Sequence, residues 1–375
     1  MVGSRRQRGG RPARPGRPAR RCARGDAGRA GGAAGGRNAM RPPAFWSTDA
    51  GRSSGALTRA LLSPLGWIYA GLTARRIRAT TPAPAPAPVI CVGNLTVGGT
   101  GKTPVALTVL DAARRLGRTP AALSRGHGGR LSGPLKVEPG VHSARDVGDE
   151  PLLLARAAPA YIDAGRVEGA RLAAAEGADL IVMDDGHQNP KLEKTLSLVV
   201  VDSVSGWGPG QVIPAGPLRE PVAAGLARAD AVIVMTPSAE ADPGYARLGL
   251  EALQVPVLKA WLEPDAAPPA GPLLAFAGIG RPQKFYDALT AWGGELAETA
   301  SFPDHHVFTR AEIDQLADLA ESHGAALITT EKDWVRLPGE VQASVTAWPV
   351  RARFAEPARL DALIEQAVDR FAERG

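Results

Sequence analysis

The chain has 375 residues and a mass of 38.9 kDa, enough for two ordinary domains with their own cores, and its formal charge of +6 invites a nucleic-acid reading. The distribution of charge removes that reading from the body of the chain: residues 1–39 hold eleven Arg against the single acid Asp26, and everything from Met40 onward carries 33 basic and 37 acidic side chains. Only two cysteines, Cys22 and Cys91, are present, which excludes a disulfide framework and fits a reducing compartment.

Residues 1–39 are rich in Gly, Ala, Pro and Arg and poor in large apolar side chains, so a disordered tail is expected, with Met40 as the natural beginning of the folded protein. A basic arm for nucleic acid or anionic lipid is the competing reading of the same residues. No signal-peptide order of charged, apolar and cleavage regions is expected there. From Ala60 to Ala74 run fifteen uncharged residues, short of the roughly 18 a spanning helix needs. Pro64 interrupts the run, Arg75, Arg76 and Arg78 close it, and Trp67 and Tyr69 are interfacial aromatics. The segment is read as amphipathic and lying on a bilayer, the alternative being a helix packed on the protein's own core.

The Pro-Ala alternation at 82–88 predicts an extended spacer. Beyond it, Val89–Val92, Pro120–Ser124, Leu180–Met183, Leu198–Val201 and Ala231–Met235 predict buried strands of a parallel sheet, and the fold class is α/β. A Pro-rich cluster at 264–272 then opens a second, smaller α/β unit reaching the end of the chain, beginning with the strand Leu273–Ala277 and turning through Gly278 and Gly280.

The first strand runs into Gly98-Gly99-Thr100-Gly101-Lys102-Thr103, a glycine-rich turn opening a helix. Such a turn aims successive backbone N–H groups at phosphate, Lys102 can reach the terminal phosphates, and Thr103 can offer its hydroxyl to Mg²⁺. Thr96 stands where a standard Walker A places glycine, and Val97 stands where switch-type ATPases carry a further lysine. The strand at 180–183 ends in Asp184-Asp185-Gly186, so one carboxylate can hold Mg²⁺ opposite Thr103 while the other orients a ligand. Asp149 and Glu150 open a predicted helix and suit helix-end charge as well as catalysis. His305 follows Phe-Pro-Asp and stands open as base partner, ligand or surface residue, while the Pro-fixed loop 213–221 presents Arg219 and Glu220 for phosphate, metal or an ordinary salt bridge.

Taken together, the motifs at 92–104, 123–128 (Leu-Ser-Arg-Gly-His-Gly), 148–151 (Gly-Asp-Glu-Pro), 184–188 (Asp-Asp-Gly-His-Gln), 214–220 (Pro-Ala-Gly-Pro-Leu-Arg-Glu), 276–280, 302–306 (Phe-Pro-Asp-His-His) and 329–333 (Thr-Thr-Glu-Lys-Asp) resemble the tetraacyldisaccharide 4′-kinase family, the lipid A kinases of Gram-negative bacteria. The resemblance implies transfer of the ATP γ-phosphate to the 4′-hydroxyl of tetraacyldisaccharide 1-phosphate, with Mg²⁺, at the cytoplasmic face of the inner membrane. It implies a P-loop domain with a smaller α/β domain and an amino-terminal membrane-contacting helix, and no nucleic-acid or obligate protein partner. It makes Asp149 the catalytic base with His305 as its partner across the cleft, and Asp184, Asp185 and Glu220 the acids organising Mg²⁺ and phosphate. Lys102 stabilises transferring charge, and Asp185 is next in line as base should Asp149 only cap its helix. Gly208-Pro209-Gly210 departs from the family pattern, where an Asn is expected, and residues 1–39 have no counterpart. The rival function is a membrane-associated P-loop ATPase acting as a switch.

Overall fold

In a computed structural model, the structure describes residues 43–46 and 55–374; the expectations for the tail and for Met40 lie outside the described residues. The strands are β1 Val89–Gly93, β2 Pro120–Ser124, β3 Leu135–Lys136, β4 Ala160–Ile162, β5 Leu180–Asp184, β6 Leu196–Asp202, β7 Ala231–Thr236 and β8 Val257–Pro264, followed by β9 Pro272–Ala277, β10 Glu295–Ser301, β11 Ala326–Thr330, β12 Thr346–Trp348 and β13 Val350–Phe354. Nine of them form one sheet in the order β13-β8-β7-β6-β1-β5-β2-β4-β3, and four form a second in the order β10-β9-β11-β12. In the large sheet all pairings are parallel except those of the edge strands β3 and β13.

Every strand read from the sequence as a buried apolar run is a strand of this sheet or begins the second one. Both faces are covered, which is why these runs are continuous rather than alternating. Ile90 and Val92 point into a core closed by helix Lys102–Arg115 and helix Pro357–Ala372, whereas Val89 and Cys91 point to the opposite face with Ile181 and Met183, against helix Val167–Ala175. The extended segment at 82–88 is no free spacer: Ala83 pairs with Leu192 in a β-bridge and Ala87 is buried on the sheet.

The smaller sheet accounts for residues 272–348 only. The expectation that everything after residue 264 belongs to the second unit is corrected by the end of the chain, where β13 pairs antiparallel with β8 and the last helix covers the large sheet. The physical reason is burial: Leu360, Ile364 and Ala367 form the apolar stripe of that helix and find their cover on the large sheet.

Helix Ala56–Ala79 runs without a break through Pro64, whose ring sits on the exposed side, where water can serve the carbonyl it leaves unpaired. It seats on the body through Gly66, where an added Cβ would lie 2.9 Å from the Val212 carbonyl, and through Thr73, which is buried. Leu57, Leu61, Leu65, Ile68 and Leu72 make an exposed stripe at helical spacing, flanked by Trp67, which is 73% exposed. Among the described residues no helix is long and apolar enough to cross a membrane.

Candidate active site

β1 lies at the centre of the large sheet between β5 and β6, so its carboxyl end opens at the point where the strand order reverses, the usual ligand crevice of such sheets. The turn leaving it has Gly98 at φ 122° and Gly101 at φ 85°, values that favour glycine. A Cβ on Gly98 or Gly99 would meet nothing within 4 Å, so nothing packs against the turn at these two positions. Helix Lys102–Arg115 starts there with no side-chain cap, leaving its first amides and its positive end for an anion.

The non-glycine residue at 96 has a structural reason. Thr96 forms an antiparallel bridge with Leu218, the Val97 amide donates to the Pro217 carbonyl (2.8 Å), and the Arg219 amide donates to the Leu95 carbonyl (2.8 Å). The first half of the cradle is thus held in extended form by the 213–221 loop. Asn94 braces the second half, donating from Nδ2 to the Thr96 carbonyl (2.7 Å) and the Thr100 hydroxyl (3.0 Å).

Asp184 ends β5 beside Val92 of β1 and accepts a hydrogen bond from Thr103 Oγ1 at 3.1 Å. Its other oxygen, Oδ1, is buried and has no hydrogen-bond partner among the described residues. Burial, then the nearby Glu150 carboxylate, pushes the Asp184 carboxyl up to about 7. An orphaned carboxylate oxygen beside a threonine hydroxyl is the donor set of a hard cation whose remaining ligands come from phosphate and water, so the site fits Mg²⁺. No group of three or more His, Cys, Asp or Glu among the described residues makes a complete metal cage.

Asp185, directly after Asp184, adopts φ 51°, in the left-handed region. It pairs with Arg219 Nη1 at 2.7 Å and with Lys102 Nζ at 3.7 Å. Burial opposes its ionisation, but Lys102 and then Arg219 outweigh it and hold the carboxyl below its ordinary value. Glu220, expected in the metal shell, is placed in an ion pair in the ligand-free protein. It is buried, both its oxygens accept from Arg228 Nη2 at 2.8 Å, and Oε1 also accepts from Gln188 Nε2 at 3.0 Å. Gln188, which also donates to the Asn94 carbonyl (2.9 Å), ties Glu220 and its loop to the cradle.

Asp149 opens helix Asp149–Ala155 on the large lobe, and His305, at φ 60° after β10, reaches it from the small lobe with Nδ1 3.0 Å from Oδ2. The sequence reading missed the residue that completes this meeting. Arg336 donates to the same Oδ2 from Nε (2.8 Å) and Nη2 (2.5 Å), while its Nη1 donates to Asp333 Oδ1 (2.9 Å) and the Gly278 carbonyl (3.0 Å). Its side chain is 2% exposed and that of Asp333 is fully buried, so removing Arg336 alone would strand a buried carboxylate at a cost of about 3–5 kcal/mol. Burial acts to raise the Asp149 carboxyl, but the His305 hydrogen bond and the Arg336 hydrogen bonds and charge prevail and take it down to about 2. The one signal in the sequence was Arg336 standing three residues after Asp333 in the 329–333 motif.

An uncapped glycine-rich cradle with Lys and Thr, a carboxylate pair at the strand end, and a carboxylate brought against a histidine from a second lobe define a P-loop phosphotransferase. The match to a family model described as tetraacyldisaccharide-1-P 4′-kinase spans residues 58–369, and the chain belongs to that family. It is 59% identical over 337 residues to a tetraacyldisaccharide 4′-kinase of Maricaulis maris, covering 90% of this chain and 99% of that one. It is 54% identical to a relative of the same description from Phenylobacterium zucineum, covering 85% and 97%. Among solved structures it is similar to LpxK of Aquifex aeolicus in complex with ATP, with a TM-score of 0.66 and 27% identity over 83% of this chain and 99% of that chain.

Proposed function

We propose that this protein transfers the γ-phosphate of ATP to the 4′-hydroxyl of tetraacyldisaccharide 1-phosphate, giving lipid IVA. The observation that carries the reading is the meeting of Asp149 and His305 across the two lobes beside a phosphate cradle, since a sugar hydroxyl is a weak nucleophile and needs both a positioned acceptor for its proton and a held phosphate. The cradle amides of 98–103 and Lys102 hold the triphosphate. Mg²⁺ at Thr103 and Asp184 would supply charge neutralisation to the phosphates. The hydroxyl oxygen forms its bond to the γ-phosphorus as the bond from that phosphorus to the bridging oxygen breaks and its electrons leave with ADP. The hydroxyl proton passes to Asp149 and on to solvent. His305 Nδ1–H donates to Oδ2 and holds the carboxylate in orientation; in the other tautomer Nδ1 accepts from Arg336 Nη2 at 3.1 Å.

Incubation with ATP and tetraacyldisaccharide 1-phosphate should give a new phosphomonoester at the 4′ position, read by mass and phosphorus NMR. ATP turnover without that product would point to the switch ATPase instead.

The exposed stripe of helix Ala56–Ala79 supports a peripheral seat on the cytoplasmic face of the inner membrane, where the lipid substrate resides. Replacing Leu61, Leu65 and Trp67 by Ser should release the protein from anionic vesicles and raise KM for the lipid while leaving KM for ATP unchanged, as measured by flotation and initial rates. Undiminished flotation of the triple variant would refute the membrane seat.

A further inference from the structure

Among the described residues, every hydrogen bond to the Asp149 carboxylate falls on one of its two oxygens. Oδ2 receives Arg336 Nε, Arg336 Nη2 and His305 Nδ1, all from the small lobe. The guanidinium making two of those bonds cannot turn away, because its third nitrogen is fixed between Asp333 and the Gly278 carbonyl. Asp333 is itself held by the Thr330 hydroxyl at 2.7 Å, and the Thr330 side chain caps helix Glu331–Trp334. The chain of contacts therefore runs from a rigid helix end of the small lobe to one carboxylate oxygen of the large one.

We propose that Arg336 is a positioning residue for phosphoryl transfer: its buried guanidinium fastens Oδ2 of Asp149 and leaves Oδ1 as the acceptor presented to the sugar hydroxyl. The inference rests on Asp149 serving as the base. A carboxylate has two equivalent oxygens and free rotation about its Cβ–Cγ bond, so a base attached only through its own side chain would present either oxygen over a range of angles. A two-pronged guanidinium contact removes that freedom, and a lysine, a point charge with no planar fork, would not. The same contact makes the acceptor depend on the lobes being together, since the donors and the carboxylate belong to different ones. Charge on Arg336 also keeps Asp149 ionised, so the acceptor is available at any working pH.

Arg336→Gln combined with Asp333→Asn removes the guanidinium without orphaning the buried acid. In the full-length protein this pair should lower kcat about 10- to 100-fold, while KM for ATP stays within about twofold. In protein carrying ¹³C-labelled Asp carboxyls, the Asp149 signal, assigned by its loss in Asp149→Asn, should stay ionised down to about pH 4.5 in the parent and titrate above that in the double variant. Arg336→Lys should restore the ionisation but not the full kcat. A folded double variant with parental kcat, or one whose Asp149 carboxyl does not titrate, overturns the role of Arg336 provided that Asp149→Asn is inactive. An active Asp149→Asn would strike the base assignment itself and take this inference with it. If the double variant does not fold, Arg336→Lys decides alone: parental kcat there sinks the fork.

Discussion

Asp149→Asn lowers kcat by about 10²- to 10⁴-fold with KM for ATP little changed, the range expected for loss of a general base. The substitution is nearly isosteric, so shape is kept and function is not. Arg336 requires an acceptor, and the Asn carboxamide will turn its oxygen toward the guanidinium. Its NH₂ group then occupies the place of Oδ1, where a proton has to be received, and donates instead. Single-turnover phosphoryl transfer with saturating ATP is the measurement; near-parental rates would show Asp149 to be an acid that serves only its helix end and its ion pair. Because Arg336 and His305 hold this carboxyl at about 2, acidification to pH 5 does not protonate it, and a loss of activity near neutrality has to come from another group.

In the ligand-free protein the carboxyl that burial raises to about 7 is that of Asp184. Asp184→Asn should reduce kcat/KM by about 10²-fold or more and abolish the response to Mg²⁺, because the orphaned oxygen becomes part of an uncharged amide. The same substitution should stabilise the ligand-free protein above neutrality. With its carboxyl raised from 3.8 to about 7, Asp184 contributes stability that is fully present below about pH 4 and lost as pH rises through about 7. The unfolded chain ionises that group freely, and the folded one must hold a charge without a partner on Oδ1. The difference in Tm between Asp184→Asn and the parent, without ATP or Mg²⁺, should therefore grow in favour of the variant between pH 5 and pH 8, reaching at least about 2 °C. A difference that stays flat with pH would mean that Asp184 is ionised throughout and that its buried oxygen is otherwise satisfied.

How much of this was legible beforehand depended on the range of the contact. The buried strands announced themselves because a strand covered on both faces must be apolar at every position, as Ile90, Cys91 and Val92 are, and the cradle because glycines, Lys102 and Thr103 act within six residues of one another. The Arg228 partner of Glu220 was not foreseen, because it lies eight residues on, beyond the short helix Val222–Leu226. Arg336 escaped because its value comes from a carboxylate 187 residues earlier in the chain. Strand Val350–Phe354 was not read from the sequence, and no local pattern states which sheet it joins; that choice was made by the apolar stripe of the following helix.

The return of β13 to the large sheet says something about how this molecule is assembled. Pro264, where the chain leaves that sheet, stands directly opposite Val350, where it comes back, and the Asp265 amide donates to the Pro349 carbonyl at 3.0 Å just beyond them. Strands β8 and β13 are thus a hairpin whose connecting loop has grown into a lobe. The two polypeptide stalks of the lobe sit side by side, and Val335 of the lobe is buried in the core of the large sheet, so the lobe is fastened at its stalks and at that contact. His305 and Arg336 accordingly reach Asp149 from one and the same insertion between two neighbouring strands.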